Sequence, residues 1–88
     1  MTNKEIYIPK LKEIIAPYVE NQENFTNISL DTDFINDLDI NSANLVDIIL
    51  DVEDVYGIEI DNEAMNRMTT VGSSIQVIQE KQELNSQS

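Results

Sequence analysis

Leu45, Ile49, Val52 and Tyr56 follow one another at intervals of four, three and four residues, which at about 100° per residue confines them to one narrow stripe of a helix over residues 44–56. Such a helix is stable in water chiefly through burial of its stripe, so the chain must supply other elements that cover it. Gly57 directly after Tyr56 offers the left-handed stop. Asp47, Asp51 and Asp54 lie roughly opposite the stripe at spacings of four and three, where like charges destabilise an isolated helix. Nothing nearby offsets them: between Lys12 and Arg67 there are fourteen acidic residues and no basic one.

Covering elements are legible on both sides. In residues 4–19, Ile8, Leu11, Ile15, Tyr18 and Val19 recur at helical spacing; Pro9 suits a first turn, and Pro17 predicts an end or kink. Asp61 can cap a brief helix through Asn66, after a short extended link at Ile58 and Ile60 that is too isolated for a sheet. Thr70 can cap a last helix with Val71, Ile75, Ile78 and Leu84 on its apolar side. Residues 21–36 are polar, rich in turn formers and punctuated by Phe25, Ile28, Leu30 and Phe34 without a period. They read as a long loop anchored by apolar pegs, a length that is usually functional unless a helical turn near Asp33 shortens it. The expected fold is an all-α four-helix bundle of three longer helices and one short one, a single domain over residues 1–84 with a disordered polar tail at 85–88.

Composition narrows the function. The 88 residues include no Cys and no His, which excludes thiolate metal sites and a built-in thiol nucleophile and makes self-contained acid–base catalysis a poor expectation. A formal net charge of −12 repels phosphate backbones and anionic lipids and favours basic protein surfaces. No apolar run reaches the length of a signal peptide or a membrane span, so the expectation is a soluble, cytoplasmic monomer that binds no nucleic acid and does not insert into membranes. Asp37-Leu38-Asp39-Ile40-Asn41 opens like a calcium loop, but Ser42 stands where the turn needs Gly and Ile48 where a bidentate Glu is required. No metal site is expected. Asp47 and Asp51 share a solvated face, where nothing drives the two carboxyl groups apart as acid and base.

Ser42 directly precedes the strongest helix. Its plainest role is a helix N-cap. Without a nearby base it is no hydrolytic nucleophile, yet a phosphodiester placed on its hydroxyl by another enzyme would sit where a helix dipole favours negative charge.

Phe34-Ile35-Asn36-Asp37-Leu38-Asp39-Ile40-Asn41-Ser42-Ala43-Asn44-Leu45-Val46, followed by Glu53-Asp54-Val55-Tyr56-Gly57-Ile58-Glu59-Ile60 and then Met68-Thr69-Thr70-Val71, resembles the acyl carrier proteins in order and spacing, from Leu11 to Ile78. The resemblance implies a four-helix bundle of acyl carrier protein type that is not an enzyme. It implies that a phosphopantetheinyl transferase attaches 4'-phosphopantetheine from coenzyme A to Ser42, and that the thiol of this arm carries acyl groups as thioesters for fatty-acid, polyketide or related lipid biosynthesis. It further implies that Asn41, Val46, Asp47, Leu50, Glu53 and Asp54 dock basic patches of partners such as a ketosynthase, an acyltransferase or an acyl-ACP ligase. Ile49, Val52, Ile60, Met65 and Met68 would line the shelter of the acyl chain. Charge reversal at Asp47 and Glu53 is then expected to slow partner turnover with little loss of fold. Asn41-Ser42-Ala43 replaces the family's Asp-Ser-Leu, which keeps the serine, loses a charge and a partner-contacting leucine, and suits a specialised pathway. An aminoacyl or peptidyl carrier, and a carrier-like adaptor that is never modified, remain open alternatives.

Overall fold

Pro9 and Pro17 shape the N-terminal helix, because proline is accommodated only where no amide hydrogen is needed. The computed structural model, which describes residues 4–86, has a 3-10 turn at Lys4–Tyr7 leading into α1 (Ile8–Ile15), with Pro9 in its first turn. A second 3-10 turn, Ala16–Tyr18, takes Pro17 in the same way. The helix therefore starts and breaks at the two prolines, as expected. Leu11, Ile14, Ile15 and Val19 are buried from this segment.

The polar stretch that follows holds an element its sequence did not announce. α2 (Gln22–Thr26) is capped by Asn21, whose side chain accepts a hydrogen bond from the Asn24 amide at 3.0 Å. Five residues with one apolar member, Phe25, carry no periodic signal, so this second short helix was invisible to spacing. Near Asp33, where a helical turn would shorten the loop, the Asp37 amide donates to the Asp33 carbonyl at 3.0 Å and the Asp33 carboxylate accepts from the Ile35 and Asn36 amides, both at 2.9 Å. The pegs act as read: Phe34 is buried, and Phe25, Ile28 and Leu30 pack half-buried against the core. Asp39 takes a left-handed conformation, φ 55°, between Leu38 and Ile40, which are both buried while Asp39 stays exposed.

α3 (Leu45–Tyr56) buries Ile48, Ile49 and Val52, a wider face than the stripe, with Leu45 and Tyr56 half-buried at its ends. It stops at Gly57, whose φ of 64° lets both the Gly57 and Ile58 amides donate to the Glu53 carbonyl. α4 (Asn62–Arg67) is capped by Asp61, whose carboxylate accepts from the Ala64 amide at 2.8 Å. In α5 (Val71–Ser86) the Thr70 hydroxyl accepts from the Ser73 amide at 3.1 Å. This helix runs on through Ser86, two residues into the segment read as a tail. Residues 87–88 of that tail and the packing of Leu84 lie outside the described residues.

The long loop is fastened along the start of α5. The Phe34 amide donates to the Thr69 carbonyl at 3.1 Å, Val71 to Thr32 at 2.9 Å and Gly72 to Leu30 at 2.8 Å, with one isolated antiparallel bridge between Asp33 and Thr70. Glycine is required at 72, since a Cβ there would lie 2.9 Å from the Leu30 carbonyl oxygen. Among the described residues there is no β-strand, and the chain is the all-α bundle anticipated, with α2 added.

α1, the loop, α3 and α5 share one core. A second cluster, Ile49, Ala64, Met68 and Val77 with Ile60 and Met65 against it, seats α4 on α3 and α5. Two ion pairs reinforce that seat. Arg67 grips Glu80 through two hydrogen bonds of 3.1 and 2.7 Å, and Lys81 lies 4.0 Å from Asp61. Those bonds, with a further one from Gln76, hold the Glu80 carboxyl down to about 2.

Candidate functional site

The turn before α3 is built by Asn41 rather than by Ser42. Asn41 is extended, its side-chain oxygen accepts from the Ala43 amide at 2.9 Å and its carbonyl accepts from the Asn44 amide at 2.8 Å. The capping role anticipated for Ser42 thus falls to its neighbour, and the Asn44 and Leu45 amides that a serine cap would take donate instead to the carbonyls of Asn41 and Ser42. Ser42 becomes the first residue of a 3-10 turn, Ser42–Asn44, that runs into α3. It is exposed, and among the described residues its hydroxyl has no hydrogen-bond partner. A serine relieved of capping is sterically and chemically available to a modifying enzyme.

Ser42 stands at the edge of an apolar groove of about 520 Å³. Leu45 and Val46 from α3 form one side, Met65 and Met68 at α4 another, and Phe34 and Ile35 from the long loop a third. Phe34, Leu45 and Met68 also bound a deeper cavity of about 10 Å³, together with Leu11, Ile48, Ile49, Val52 and Ser74. A cavity of that size is at the lower limit for one water, so the interior is closed to an acyl chain unless its walls repack. Met68 and Met65 are suited to such repacking, being unbranched and adaptable.

Of the expected lining residues, Met65 and Met68 reach the groove, and Ile49, Val52 and Met68 reach the cavity. Ile60 reaches neither. It is half-buried in the link before α4 and lines a separate, acid-rimmed depression with Glu53, Asp61 and Lys81. Spacing missed Phe34, Leu45 and Ser74 as wall residues. A signal for Ser74 existed, since it occupies the inward register of Val71, Ile75 and Ile78 on α5. Its side chain is fully buried and its Oγ has no partner. An unsatisfied buried hydroxyl costs about 1–3 kcal/mol, which alanine at this position would avoid.

The outward face of α3 carries Val46 and Leu50, both more than half exposed, beside the exposed carboxylates Asp47 and Asp54. Asp51 accepts a long hydrogen bond, 3.4 Å, from the Tyr18 hydroxyl. Partial desolvation and then the charges of Asp51 and Asp47 push that phenol above its ordinary value, a sign of the negative field on this face. Two residues expected there have other work. Asn41 uses its side-chain oxygen as the cap, and Glu53 is half-buried with its carboxylate accepting from the Ile60 amide at 2.6 Å. Glu53 therefore ties the end of α3 to the link before α4. Charge reversal there would disturb the fold, contrary to expectation, because a lysine cannot accept that hydrogen bond.

Residues 9–78 match the family described as the phosphopantetheine attachment site. The chain is also 37% identical to an acyl carrier protein of Lactobacillus acidophilus over 93% of its own length and 99% of the relative's. The chain belongs to the acyl carrier protein family. An acyl carrier protein of Petrotoga mobilis is 33% identical over 92% of each chain, and a meromycolate extension acyl carrier protein of Mycolicibacterium aurum is 37% identical over 84% of this chain and 81% of its own. Membership makes this a carrier, not itself catalytic, that bears covalent 4'-phosphopantetheine and meets a phosphopantetheinyl transferase and biosynthetic enzymes. The donor set suits that group: it asks for a free hydroxyl rather than a metal or a base. Among the described residues no cluster of His, Cys, Asp or Glu is placed to hold a metal ion, and no helix is long and apolar enough to cross a membrane.

Proposed function

We propose that Ser42 is the attachment residue and that the chain presents acyl thioesters to partner enzymes of fatty-acid, polyketide or related lipid biosynthesis. The observation that carries this reading is the exposed, unpartnered Ser42 hydroxyl at the mouth of an apolar groove that borders a core cavity. In the attachment step the Ser42 oxygen forms a bond to the phosphorus nearest the pantetheine of coenzyme A, the phosphoanhydride bond breaks, and the nucleotide portion leaves. The hydroxyl proton must pass to a base of the transferase, since no side chain among the described residues accepts from that oxygen. Once bound, the arm supplies a thiol that holds the acyl group as a thioester.

The chain's own residues contribute placement and shelter. The dipole at the start of α3 favours the phosphodiester charge at Ser42. Phe34, Leu45 and Met68 separate the groove from the cavity, and their repacking would admit an apolar chain. Val46, Asp47, Leu50 and Asp54 make a mixed acidic and apolar face suited to rapid, weak, steered contact with basic enzyme surfaces.

Intact mass after incubation with a broad-specificity transferase and coenzyme A tests the attachment. One phosphopantetheine is expected on the wild type and none on Ser42→Ala, and an unmodified wild type would put the adaptor alternative in its place. For docking, Asp47→Lys with Asp54→Lys should raise the transferase KM several-fold at low salt, with the difference shrinking as salt is added. Identical kinetics at low salt would remove the docking face.

A further inference from the structure

Ser74 is one of two buried side chains among the described residues whose polar atom has no hydrogen-bond partner. The other, the Tyr56 hydroxyl, lines neither the groove nor the cavity. Ser74 does line the cavity, as the one hydroxyl-bearing side chain among the described residues of an otherwise apolar wall. A serine inside a helix ordinarily satisfies itself by donating to the carbonyl four residues back. Here that carbonyl, on Thr70, already accepts from the Ser74 amide at 3.0 Å and the Ser73 hydroxyl at 3.1 Å. A bound water does not resolve the problem either, since a buried water needs two to four polar partners and this cavity provides one.

On the reading that the arm at Ser42 delivers an acyl chain through the groove, we infer that Ser74 is a specificity residue for cargo with a neutral oxygen, a hydroxyl or keto group, part-way along the chain. A saturated hydrocarbon would leave the Ser74 hydroxyl as unpartnered as it is now. A keto oxygen accepts from it, and a hydroxyl can accept or donate. A carboxylate is excluded, because no cation faces the cavity to compensate a buried charge. Entry requires Leu45 and Met68 to move aside, which brings the chain from the groove to the face of α5 that holds Ser74.

The test loads the full-length wild type and Ser74→Ala with octanoyl chains that are plain or carry one hydroxyl at carbon 3, 5 or 7. Mass first verifies loading at Ser42, and the amide chemical shifts of Met68 and Ile75, residues common to both proteins, then report the ratio of inserted to solvent-exposed chain. At one or more hydroxyl positions, insertion relative to the plain chain should be roughly threefold to tenfold greater in the wild type than in the variant, the factor that one neutral hydrogen bond commands. Equal relative insertion in both proteins would overturn the proposal while leaving the carrier reading intact, and so would chains that load but never insert. A failure to load would bring down the carrier reading itself, and this inference with it. The unloaded Ser74→Ala protein should melt no lower than wild type. A lower melting point would mean that the hydroxyl already has a partner and would also overturn the inference.

Discussion

Replacing Glu53 by alanine removes the acceptor of the 2.6 Å bond from the Ile60 amide and so separates a structural role from a docking role. A hydrogen bond to a charged group contributes about 1.5–3 kcal/mol. The Ile60 segment is half-buried, so water recovers part of that loss, and alanine's helix propensity returns up to about 0.5 kcal/mol. Local charge relief is small, because the positions three and four residues from Glu53 are Ile49, Leu50, Tyr56 and Gly57. The net loss is about 1–2 kcal/mol, which in a domain of this size lowers Tm by roughly 5–15 °C. Glu53→Gln keeps a neutral acceptor and should lose about half as much, since charge assistance roughly doubles such a bond. Thermal melts followed by circular dichroism give the order wild type, Gln, Ala, and amide exchange at Ile60 should quicken in the same order. An alanine variant that melts with the wild type and protects Ile60 equally would refute the reasoning and return Glu53 to the docking face.

Asp39→Gly should stabilise the protein by up to about 1 kcal/mol, because the left-handed conformation at φ 55° disfavours any residue with a Cβ, and a lower urea midpoint would contradict this. Gly72→Ala should destabilise by about 1–2 kcal/mol, as a Cβ 2.9 Å from the Leu30 oxygen outweighs alanine's helix propensity; a raised Tm would show that the loop yields freely. Glu80, held at about 2 against an ordinary 4.5, supports the fold above the higher value and loses that support as pH falls through the lower one. The pair is well exposed and screened, so the effect is modest: the stability difference between wild type and Glu80→Gln should narrow from pH 5 to pH 2, and a constant difference would count against the Arg67 clamp.

Elements with regular spacing or a strong cap were legible, short α4 among them, and α2 was not. The stripe of Leu45, Ile49, Val52 and Tyr56 and the stop at Gly57 foretold α3 because each residue's role depends on neighbours within a few positions. The same holds for the prolines around α1 and the caps Asp61 and Thr70. α2 escaped because Asn21 and a single Phe25 carry no period. At the site, Ser42 stood out by its position and by family resemblance, but the cap expected of its hydroxyl belongs to Asn41. That choice between Asn41 and Ser42 turns on one residue of backbone geometry, φ −63° and ψ 132° at Asn41, which spacing does not encode.

By itself the sequence determined the helical class, the family, the serine ahead of α3 and an acidic surface that no local base neutralises. The family follows from resemblance in the order and spacing of its motifs, and the rest from composition or from interactions between residues close along the chain. Tertiary structure alone decided that Glu53 fastens the link before α4, that Ile60 lies away from the groove, and that Phe34 meets Leu45 and Met68 as a wall. It also left the Ser74 hydroxyl alone among hydrocarbon. Each is a contact between segments distant in sequence, set by how three faces pack into one shared volume, and a pattern read one helix at a time contains no information about the face that will oppose it.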